Sequence, residues 1–351
     1  MTGMPRINNA RLPVISCQLN EEGGRAAFQL SKEIRCAGEG EKDMAKVLIA
    51  TEKPFSKAAV EGITNILTAK GHEVARLEKY TDPAQLLDAV KDAEALIIRS
   101  DKITADVMAH APKLKIVVRA GAGFDNVDLE AATEKDIVVE NTPGQNANAV
   151  AELVLGMMVY KARNFFDGTT GKELRGKKIG LHGFGAVARC VAPIAKGFGM
   201  DVYAYDIPQV PDSVFEDAGV TRITDIPELY RTCDYVSLHF PALPNLIKSI
   251  NYELLSNLPK NGCLINAARA EVVDEEGIAE MFEKREDFVY LADVAPKNKD
   301  LIAEKFPGRF FFTPKKSGAQ TAEANANAGF AAANQICAFF ETGCTKFRVN
   351  K

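Results

Sequence analysis

Three small residues at fixed spacing, Gly183, Gly185 and Ala188, have the types and positions that phosphate binding requires. They form the pattern Gly-x-Gly-x-x-Ala, directly after the apolar segment Ile179–Leu181 and at the start of an expected helix. In this pattern the first glycine makes a tight turn, the second lets the backbone approach a pyrophosphate, and the third small residue lets the helix pack closely on the strand. The amides at the helix N-terminus then hold the phosphates. The spacing therefore predicts a dinucleotide site.

An acidic residue, Asp206, stands where such a site would contact a ribose. It ends the next apolar segment, Val202–Tyr205, about twenty residues after Gly185. A carboxylate there accepts hydrogen bonds from ribose hydroxyls and repels a 2′-phosphate, which favours NAD over NADP as the cofactor. Ala186 and Val187 would form the first helical turn at the pyrophosphate. The alternative interpretation is a glycine turn of an α/β sheet that binds no ligand.

The elements that must position these residues follow from an alternation of apolar segments and helical patterns that begins at Lys46. Apolar strands alternating with short helices predict a parallel sheet covered on both faces, with a ligand crevice at the carboxyl ends of the strands. The predicted strands of this first series are Lys46–Ala50, Glu73–Leu77, Ala95–Arg99, Lys115–Arg119 and Ile137–Glu140. The predicted helices are Lys57–Lys70, Pro83–Lys91, Thr104–His110 and Asp128–Lys135.

A second series follows an apolar helix predicted at Asn148–Phe166, whose lack of a polar face suits a buried or subunit-facing position. Its predicted strands are Ile179–Leu181, Val202–Tyr205, Tyr235–Leu238, Cys263–Asn266, Phe288–Leu291 and Phe310–Phe312. An alanine-rich helix at Thr321–Phe340 ends the pattern and is expected to pack back on the first series. The sequence thus predicts an α/β protein with two doubly wound parallel-sheet domains.

The composition of the 351 residues argues against several classes of protein. A net charge of −4 argues against a nucleic-acid partner, since nucleic-acid-binding proteins usually carry a basic excess on one face. No apolar run reaches the roughly 18 residues that a membrane helix needs, so we expect a soluble, cytoplasmic protein without a membrane partner. Seven cysteines without a Cys-x-x-Cys pair, and four histidines without zinc-site spacing, predict neither a disulfide framework nor a metal site.

Five segments together resemble the D-2-hydroxyacid dehydrogenase family, most closely its phosphoglycerate dehydrogenases. These segments are Arg119–Leu129, Asn141–Leu153, Lys177–Ala188, Cys233–Pro241 and Leu264–Asp274. The resemblance implies a Rossmann NAD domain inserted into a flavodoxin-like substrate domain. We therefore expect the substrate domain at 44–146 and 316–351 and the NAD-binding domain at 147–315. Residues 1–43 lack periodicity and predict a poorly ordered arm, with a targeting segment or a start site drawn too far upstream as alternatives.

The resemblance also implies which residues form the cleft between the two domains. Arg269, in Asn-Ala-Ala-Arg, matches the family's substrate-carboxylate arginine, whose planar fork can bind a carboxylate through two hydrogen bonds. Asp293 matches the acid that faces the nicotinamide amide. The other cofactor contacts implied by position are Ala122, His239, Phe240, Pro241, Ala267, Ala268, Arg269 and Gly318.

One departure from the family concerns the residue that moves the proton. Most members have a histidine after Thr-Pro and a glutamate that orients it, whereas this chain has Lys315 after Thr-Pro and no such glutamate. A lysine has no tautomer to fix, and burial together with the Arg269 cation would lower its pKa, whereas a glutamate would raise it. We therefore expect Lys315, as a free amine, to accept the C2 hydroxyl proton. Lys316 would point away from Lys315 if the segment is extended, and it is not assigned a role. The alternative is that Lys315 only neutralises substrate charge and another group, such as His239, moves the proton.

The resemblance implies a phosphorylated substrate as well. Phosphoglycerate dehydrogenases bind substrate phosphate and carboxylate at strand-end positions that this chain matches, together with a basic position after the long helix. The matching residues are Arg99, Ser100, Arg119, Ala120, Gly121 and Arg163. Cations that converge on one mouth favour a dianionic substrate. The resemblance implies that the reaction is oxidation of D-3-phosphoglycerate to 3-phosphohydroxypyruvate, the entry step of serine biosynthesis. The apolar segment Ala149–Val159 resembles a dimer-forming helix, so we expect a homodimer, and we expect no serine-sensing domain after the last helix.

Two other functions stay open. A dehydrogenase for an unphosphorylated 2-hydroxy acid, such as glycerate or glyoxylate/hydroxypyruvate, would use the same cofactor site without phosphate contacts. A non-catalytic NAD(H)-sensing binding protein would account for the missing histidine. The presence of Arg269 and a titratable Lys315 favours catalysis over sensing.

Overall fold

The computed structural model describes residues 44–293 and 295–351, so the predicted arm at 1–43 lies outside the described residues. The strands of its first sheet are β1 (Lys46–Thr51), β2 (Glu73–Glu78), β3 (Ala95–Ile98), β4 (Ile116–Arg119) and β5 (Val138–Asn141). They pair in parallel in the order β2-β1-β3-β4-β5. Successive residues of β1 and β3 are buried, because helices cover both faces of the sheet.

The second sheet has seven strands, which also pair in parallel. They are β6 (Lys178–His182), β7 (Asp201–Tyr205), β8 (Thr221–Arg222), β9 (Tyr235–Leu238), β10 (Cys263–Asn266), β11 (Val289–Ala292) and β12 (Phe310–Phe312). Their order is β12-β11-β10-β9-β6-β7-β8, so the direction of chain progression reverses between β6 and β9. This is where ligands bind in open parallel sheets. The predicted fold class, α/β with two parallel sheets, is confirmed.

Helices connect the strands, and side-chain caps start several of them. Ser56, Asp128 and Thr321 each accept the backbone N–H three residues later, which satisfies an otherwise unpaired helix donor. The helices are α1 (Lys57–Ala69), α2 (Pro83–Ala89), α3 (Ala105–Ala109), α4 (Leu129–Glu134), α5 (Ala147–Ala162), α6 (Ala186–Gly197), α7 (Asp212–Asp217), α8 (Ile226–Thr232), α9 (Tyr252–Leu255), α10 (Glu275–Lys284), α11 (Lys299–Lys305) and α12 (Ala322–Thr342).

The long helices α5 and α12 pack on different sheets. α5 packs along α6 and places Val154 and Met158 in the core of the second sheet. α12 packs along α1 and places Ala332 and Ile336 in the core of the first sheet. This packing supports the domain division that we propose, with 44–146 and 316–351 in one domain and 147–315 in the other.

The helix expected to reach Phe166 ends at Ala162 instead. Asn164, Phe165 and Phe166 have φ angles of 50°, 55° and 59°, a left-handed turn that no α-helix continues. The Asn164 side chain donates to the Thr169 hydroxyl at 2.7 Å, which fixes the turn from outside the helix. The apolar pattern continues past the helix end because both phenylalanines pack against a tyrosine ring within α5.

Candidate active site

The glycine turn lies where β6 and β9 end side by side in the second sheet. Gly183 follows β6 with a φ angle of +90° and donates its N–H to the carbonyl of Tyr205 at 2.8 Å. A Cβ atom on Gly183 would lie 2.9 Å from the backbone carbonyl of His239, which follows β9. Only glycine fits, because a side chain would meet both an unfavourable φ and a neighbouring backbone.

The start of α6 presents backbone amides to the space beside this turn. Gly185 precedes α6, and no side chain of the described residues caps the helix there. A Cβ atom on Gly185 would meet nothing within 4 Å, whereas Ala188 is fully buried against the core. The N–H groups of the first turn and the space left by Gly185 fit a pyrophosphate. Ala186 is exposed in that first turn, and Val187 is half-buried.

Asp206 lies at the same turn. Its Oδ2 accepts the N–H of Phe184 at 2.7 Å, and its Oδ1 accepts the N–H of Ile207 at 2.7 Å. These two bonds fix the carboxylate beside the glycine turn and leave lone pairs for further donors. The residues present therefore fit a dinucleotide with free ribose hydroxyls.

Two histidines next to the turn are neutral at neutral pH. The ring centroids of the buried His182 and of Phe240 lie 4.5 Å apart, and burial lowers the pKa of His182 to about 4. Burial and the neighbouring His182 lower the pKa of His239 to about 3. So weak a base takes up a substrate proton poorly, which disfavours the alternative in which His239 moves the proton. Pro241, which follows His239 and Phe240 in the sequence, is exposed.

Arg269 follows β10 on a tight turn that Asn266 shapes. The buried Asn266 accepts the N–H of Ala268 at 3.0 Å and donates to the carbonyl of Arg269 at 2.9 Å. The exposed Arg269 side chain donates from Nη1 to the carbonyl of Ala268 at 2.9 Å. Ala267 is half-buried and Ala268 is buried beside it. The sequence analysis did not assign Asn266, although a fully buried asparagine at a strand end is a signal for such a role.

Asp293 binds the loop that joins β12 to α12. Its Oδ1 accepts the N–H of Ser317 at 2.7 Å and the hydroxyl of Thr313 at 3.1 Å, and its Oδ2 accepts the N–H of Gly318 at 2.8 Å. A Cβ atom on Gly318 would lie 2.8 Å from that Oδ2, so the close approach depends on glycine. The carboxylate expected to face the nicotinamide amide is thus also engaged in holding the lysine-bearing loop.

Lys316, which the sequence analysis did not assign, lies among the charges of the cleft. The pKa of Lys316 is lowered first by desolvation and then by the Arg269 cation, with Asp293 opposing and Arg119 adding to the shift. Lys316 keeps an exposed surface, yet enough protein surrounds its ammonium group to desolvate it. The chain bends at 314–315, so the condition of an extended segment is not met there. Lys315 is also exposed, and its catalytic role stays a prediction.

A pocket of about 100 Å³ connects the carboxyl ends of β3 and β4 with the start of α12. Its lining includes the five strand-end residues expected to bind substrate, which are Arg99, Ser100, Arg119, Ala120 and Gly121. It also includes four side-chain amides that the sequence analysis did not assign, on Gln145, Asn146, Gln320 and Asn325. A sequence signal for these amides was available, because they lie just before α5 and at the start of α12, where the chain passes from one sheet to the other.

The Arg119 side chain of this pocket is held by the backbone of Arg99. Arg119 donates from Nε to the backbone carbonyl of Arg99 at 3.0 Å. Gly121, with a φ angle of +151°, leaves room for the Arg119 guanidinium, because a Cβ atom there would overlap Nη1 of Arg119. Burial lowers the pKa of both guanidinium groups, which nevertheless remain charged at neutral pH. The pocket therefore offers two cations to a ligand.

Of the strand-end and helix-end residues expected to bind substrate, only Arg163 does not line this pocket, and the neighbouring Ala122, expected at the cofactor, does not line it either. Arg163 is exposed where α5 ends. Ala122 is exposed on the loop after β4, where its carbonyl accepts the Asn141 side-chain amide at 2.6 Å. Within the described ranges 44–293 and 295–351, no His, Cys, Asp and Glu residues are grouped to hold a metal ion. No helix in those ranges has the length and apolar character to cross a membrane.

A comparison with protein families accounts for this arrangement. The profile described as "D-isomer specific 2-hydroxyacid dehydrogenase, catalytic domain" matches residues 48–350. The chain belongs to this family. The resemblance recognised from the sequence is thereby confirmed.

Solved and curated members of the 2-hydroxyacid dehydrogenase family agree with the match. The NAD+-bound 3-phosphoglycerate dehydrogenase of Entamoeba histolytica superposes with a TM-score of 0.76 and 45% identity, over 88% of this chain and 99% of that one. The D-3-phosphoglycerate dehydrogenase of Methanocaldococcus jannaschii is 37% identical over 75% of this chain and 53% of its own length. The hydroxypyruvate reductase of Thermotoga maritima is 32% identical over 84% of this chain and 98% of its own. The chain thus spans about half the length of the archaeal relative.

Proposed function

We propose that this protein catalyses the NAD-dependent oxidation of D-3-phosphoglycerate to 3-phosphohydroxypyruvate, the entry step of serine biosynthesis. The observation that carries the proposal is the pocket in which Arg99 and Arg119 lie together. Two cations in one pocket favour a phosphorylated carboxylic acid over a monoanion. Arg119 also acts on the pKa of Lys316, so the pocket adjoins the charges of the cleft. The phosphoglycerate dehydrogenases among the relatives support the same reaction.

NAD is the cofactor that fits the second sheet. The turn at Gly183 and Gly185 and the first turn of α6 would hold its pyrophosphate, and Asp206 would accept hydrogen bonds from its ribose. The residues that would border the rest of the molecule are His239, Phe240, Pro241, Ala267, Ala268, Asp293 and Gly318. When bound, NAD takes up the hydride that leaves C2 of the substrate.

The chain's own residues would bind the acid and move the proton. Arg269 would bind the substrate carboxylate through its free N–H groups, on the turn that Asn266 fixes. A lysine amine would accept the C2 hydroxyl proton during oxidation and return it during reduction. The structure favours Lys316 for this step, because its lowered pKa increases the free-amine fraction near neutral pH. Lys315 is the alternative that the Thr-Pro spacing predicts.

NADH oxidation with 3-phosphohydroxypyruvate tests the reaction and the lysine together. We expect Lys316→Ala to lower kcat about 100-fold or more, since general acid–base catalysis contributes at least that much. Lys315→Ala is the matched control, because it removes a neighbouring lysine of the same loop. A loss of kcat in Lys315→Ala alone would show that Lys315, and not Lys316, transfers the proton. A parent protein that binds NADH and turns over no keto acid would instead be a sensor.

A second candidate function is the reduction of an unphosphorylated keto acid. The full-length match to a hydroxypyruvate reductase favours it. Hydroxypyruvate shares the carboxylate that Arg269 would bind and lacks the phosphate that Arg99 and Arg119 would bind. A lower KM for hydroxypyruvate than for 3-phosphohydroxypyruvate would establish this candidate.

The protein is proposed to work as a homodimer in the cytoplasm. Gly156 on α5 is exposed and has open space around it, and Phe166 after the helix is 65% exposed. An exposed aromatic beside an apolar helix suits contact with a second subunit. Sedimentation at micromolar concentration measures the assembly directly.

A further inference from the structure

Arg99 is bound by segments far apart in the sequence. Its Nη1 donates to the carbonyls of Lys53 at 2.9 Å and Pro54 at 3.2 Å, and its guanidinium lies over the Phe55 ring. Its Nη2 donates to Oδ1 of Asn325 at 2.6 Å, across 226 residues of sequence. These bonds engage three of the five N–H groups of an arginine side chain. Within the described part of the chain, Nε–H and one Nη2–H are left for a ligand.

The orientation of the Asn325 amide is fixed by a second bond. Its Nδ2 donates to the carbonyl of Thr321 at 2.8 Å, so Oδ1 is the atom that faces Arg99. Unlike a carboxylate, an amide oxygen accepts from a guanidinium without cancelling its charge. Arg99 and Asn325 line the same pocket, so the full cation is held there in one orientation.

We propose that Asn325 is a positioning residue that sets the preference for a phosphorylated substrate by fixing the Arg99 guanidinium in the pocket. The inference rests on the proposed function, because the substrate phosphate is the group that Arg99 would bind. An arginine that is fixed before binding loses less side-chain entropy when the phosphate arrives. Without the Asn325 acceptor, the Nη2 end of the guanidinium is released and that entropy is lost on binding instead.

Steady-state kinetics with two keto acids test the role of Asn325. We expect Asn325→Ala to raise the KM for 3-phosphohydroxypyruvate about tenfold, the cost of ordering one flexible side chain on binding, with a smaller effect on kcat. The KM for hydroxypyruvate should change much less, since it carries no phosphate. Asn325→Asp should raise the first KM further, because its carboxylate would cancel the Arg99 charge. Asn334→Ala is the matched control, since Asn334 makes the same helix bond, to Phe330, and faces solvent.

Stabilisation by inorganic phosphate, together with the substrate preference of the parent, distinguishes the positioning role of Asn325 from the proposed function. We expect phosphate to raise the Tm of the parent and of Asn334→Ala, and to raise that of Asn325→Ala less. A parent that prefers 3-phosphohydroxypyruvate, with equal KM changes for both keto acids in Asn325→Ala, would overturn the positioning role and keep the proposed function. A parent that prefers hydroxypyruvate would overturn the proposed function. An unchanged Tm of the parent in phosphate would overturn the proposal that the pocket at Arg99 binds a phosphate group.

Discussion

Gly183 and Gly185 stand two residues apart, yet a side chain would have a different effect at each. At Gly183 a Cβ atom would meet the His239 backbone, and the φ angle of +90° is one that other residues rarely adopt. At Gly185 the φ angle is −79° and the space is open. The first glycine is therefore required by the fold, and the second by whatever approaches α6.

Alanine at each position should separate stability from cofactor binding. We expect Gly183→Ala to lower the free energy of unfolding by about 1–3 kcal/mol, the usual cost of a residue held in such strain. Gly185→Ala should cost less than about 1 kcal/mol, because only the helix cap changes. It should nevertheless weaken NADH binding, since its methyl group takes up the space beside the amides. Urea unfolding and NADH fluorescence titration measure the two effects, and equal destabilisation by both substitutions would contradict this geometry.

The edge strand β5 of the first sheet is covered by the C-terminal tail. Val349 donates its N–H to the carbonyl of Val139 at 2.8 Å. The buried side chain of Asn350 accepts the N–H of Val139 at 2.9 Å and donates to the carbonyl of Ile137 at 2.9 Å. A tail bound in this way satisfies backbone groups that an open edge would offer to another chain.

Removing the Asn350 side chain should show how much this element contributes. We expect Asn350→Ala to lower the free energy of unfolding by about 2–4 kcal/mol, because a buried N–H and a buried carbonyl lose their partners. Lys351→Ala, at the neighbouring exposed position, is the control and should have no measurable effect. Urea unfolding monitored by circular dichroism compares them. Equal midpoints for the two variants would show that the tail does not stabilise the sheet.

Burial lowers the pKa of three histidines, His72, His182 and His239, and this makes the stability of the whole molecule depend on pH. The pKa values of His182 and His239 are about 4 and about 3, below the value of 6.5 for an exposed histidine. Below pH 6.5 the unfolded chain therefore binds protons that the folded protein does not. The free energy of unfolding must fall as the pH is lowered from 6.5 towards 4.

The expected loss is about 1.4 kcal/mol per histidine for each pH unit, or about 4 kcal/mol for His182 and His239 together at pH 5. Urea unfolding at pH 7, 6 and 5 measures this slope. His182→Gln should reduce the slope more than His110→Gln, which changes a histidine at an exposed position. A parent whose stability is constant across this range would refute the burial of the His182 and His239 imidazoles.

The sequence by itself determined most of the elements and the glycine turn after β6. The alternation of apolar strands and helices places all five strands of the first sheet within one residue of their observed ends. It missed β8, Thr221–Arg222, because two residues are too few to show a period. The glycine turn at 183–188 could be predicted because it depends on local backbone geometry, which residues close in the sequence determine.

Only the tertiary structure decided which side chains meet in the site. Counting from Thr-Pro indicated Lys315, which stays a prediction, and the loop that Asp293 binds also places Lys316 among the cleft charges. The pairing of Arg99 with Asn325 joins positions 226 residues apart. Local patterns reflect the backbone period and carry no information on such distances. Side-chain direction is instead set by long-range hydrogen bonds, which exist only once the sheets and α12 have packed.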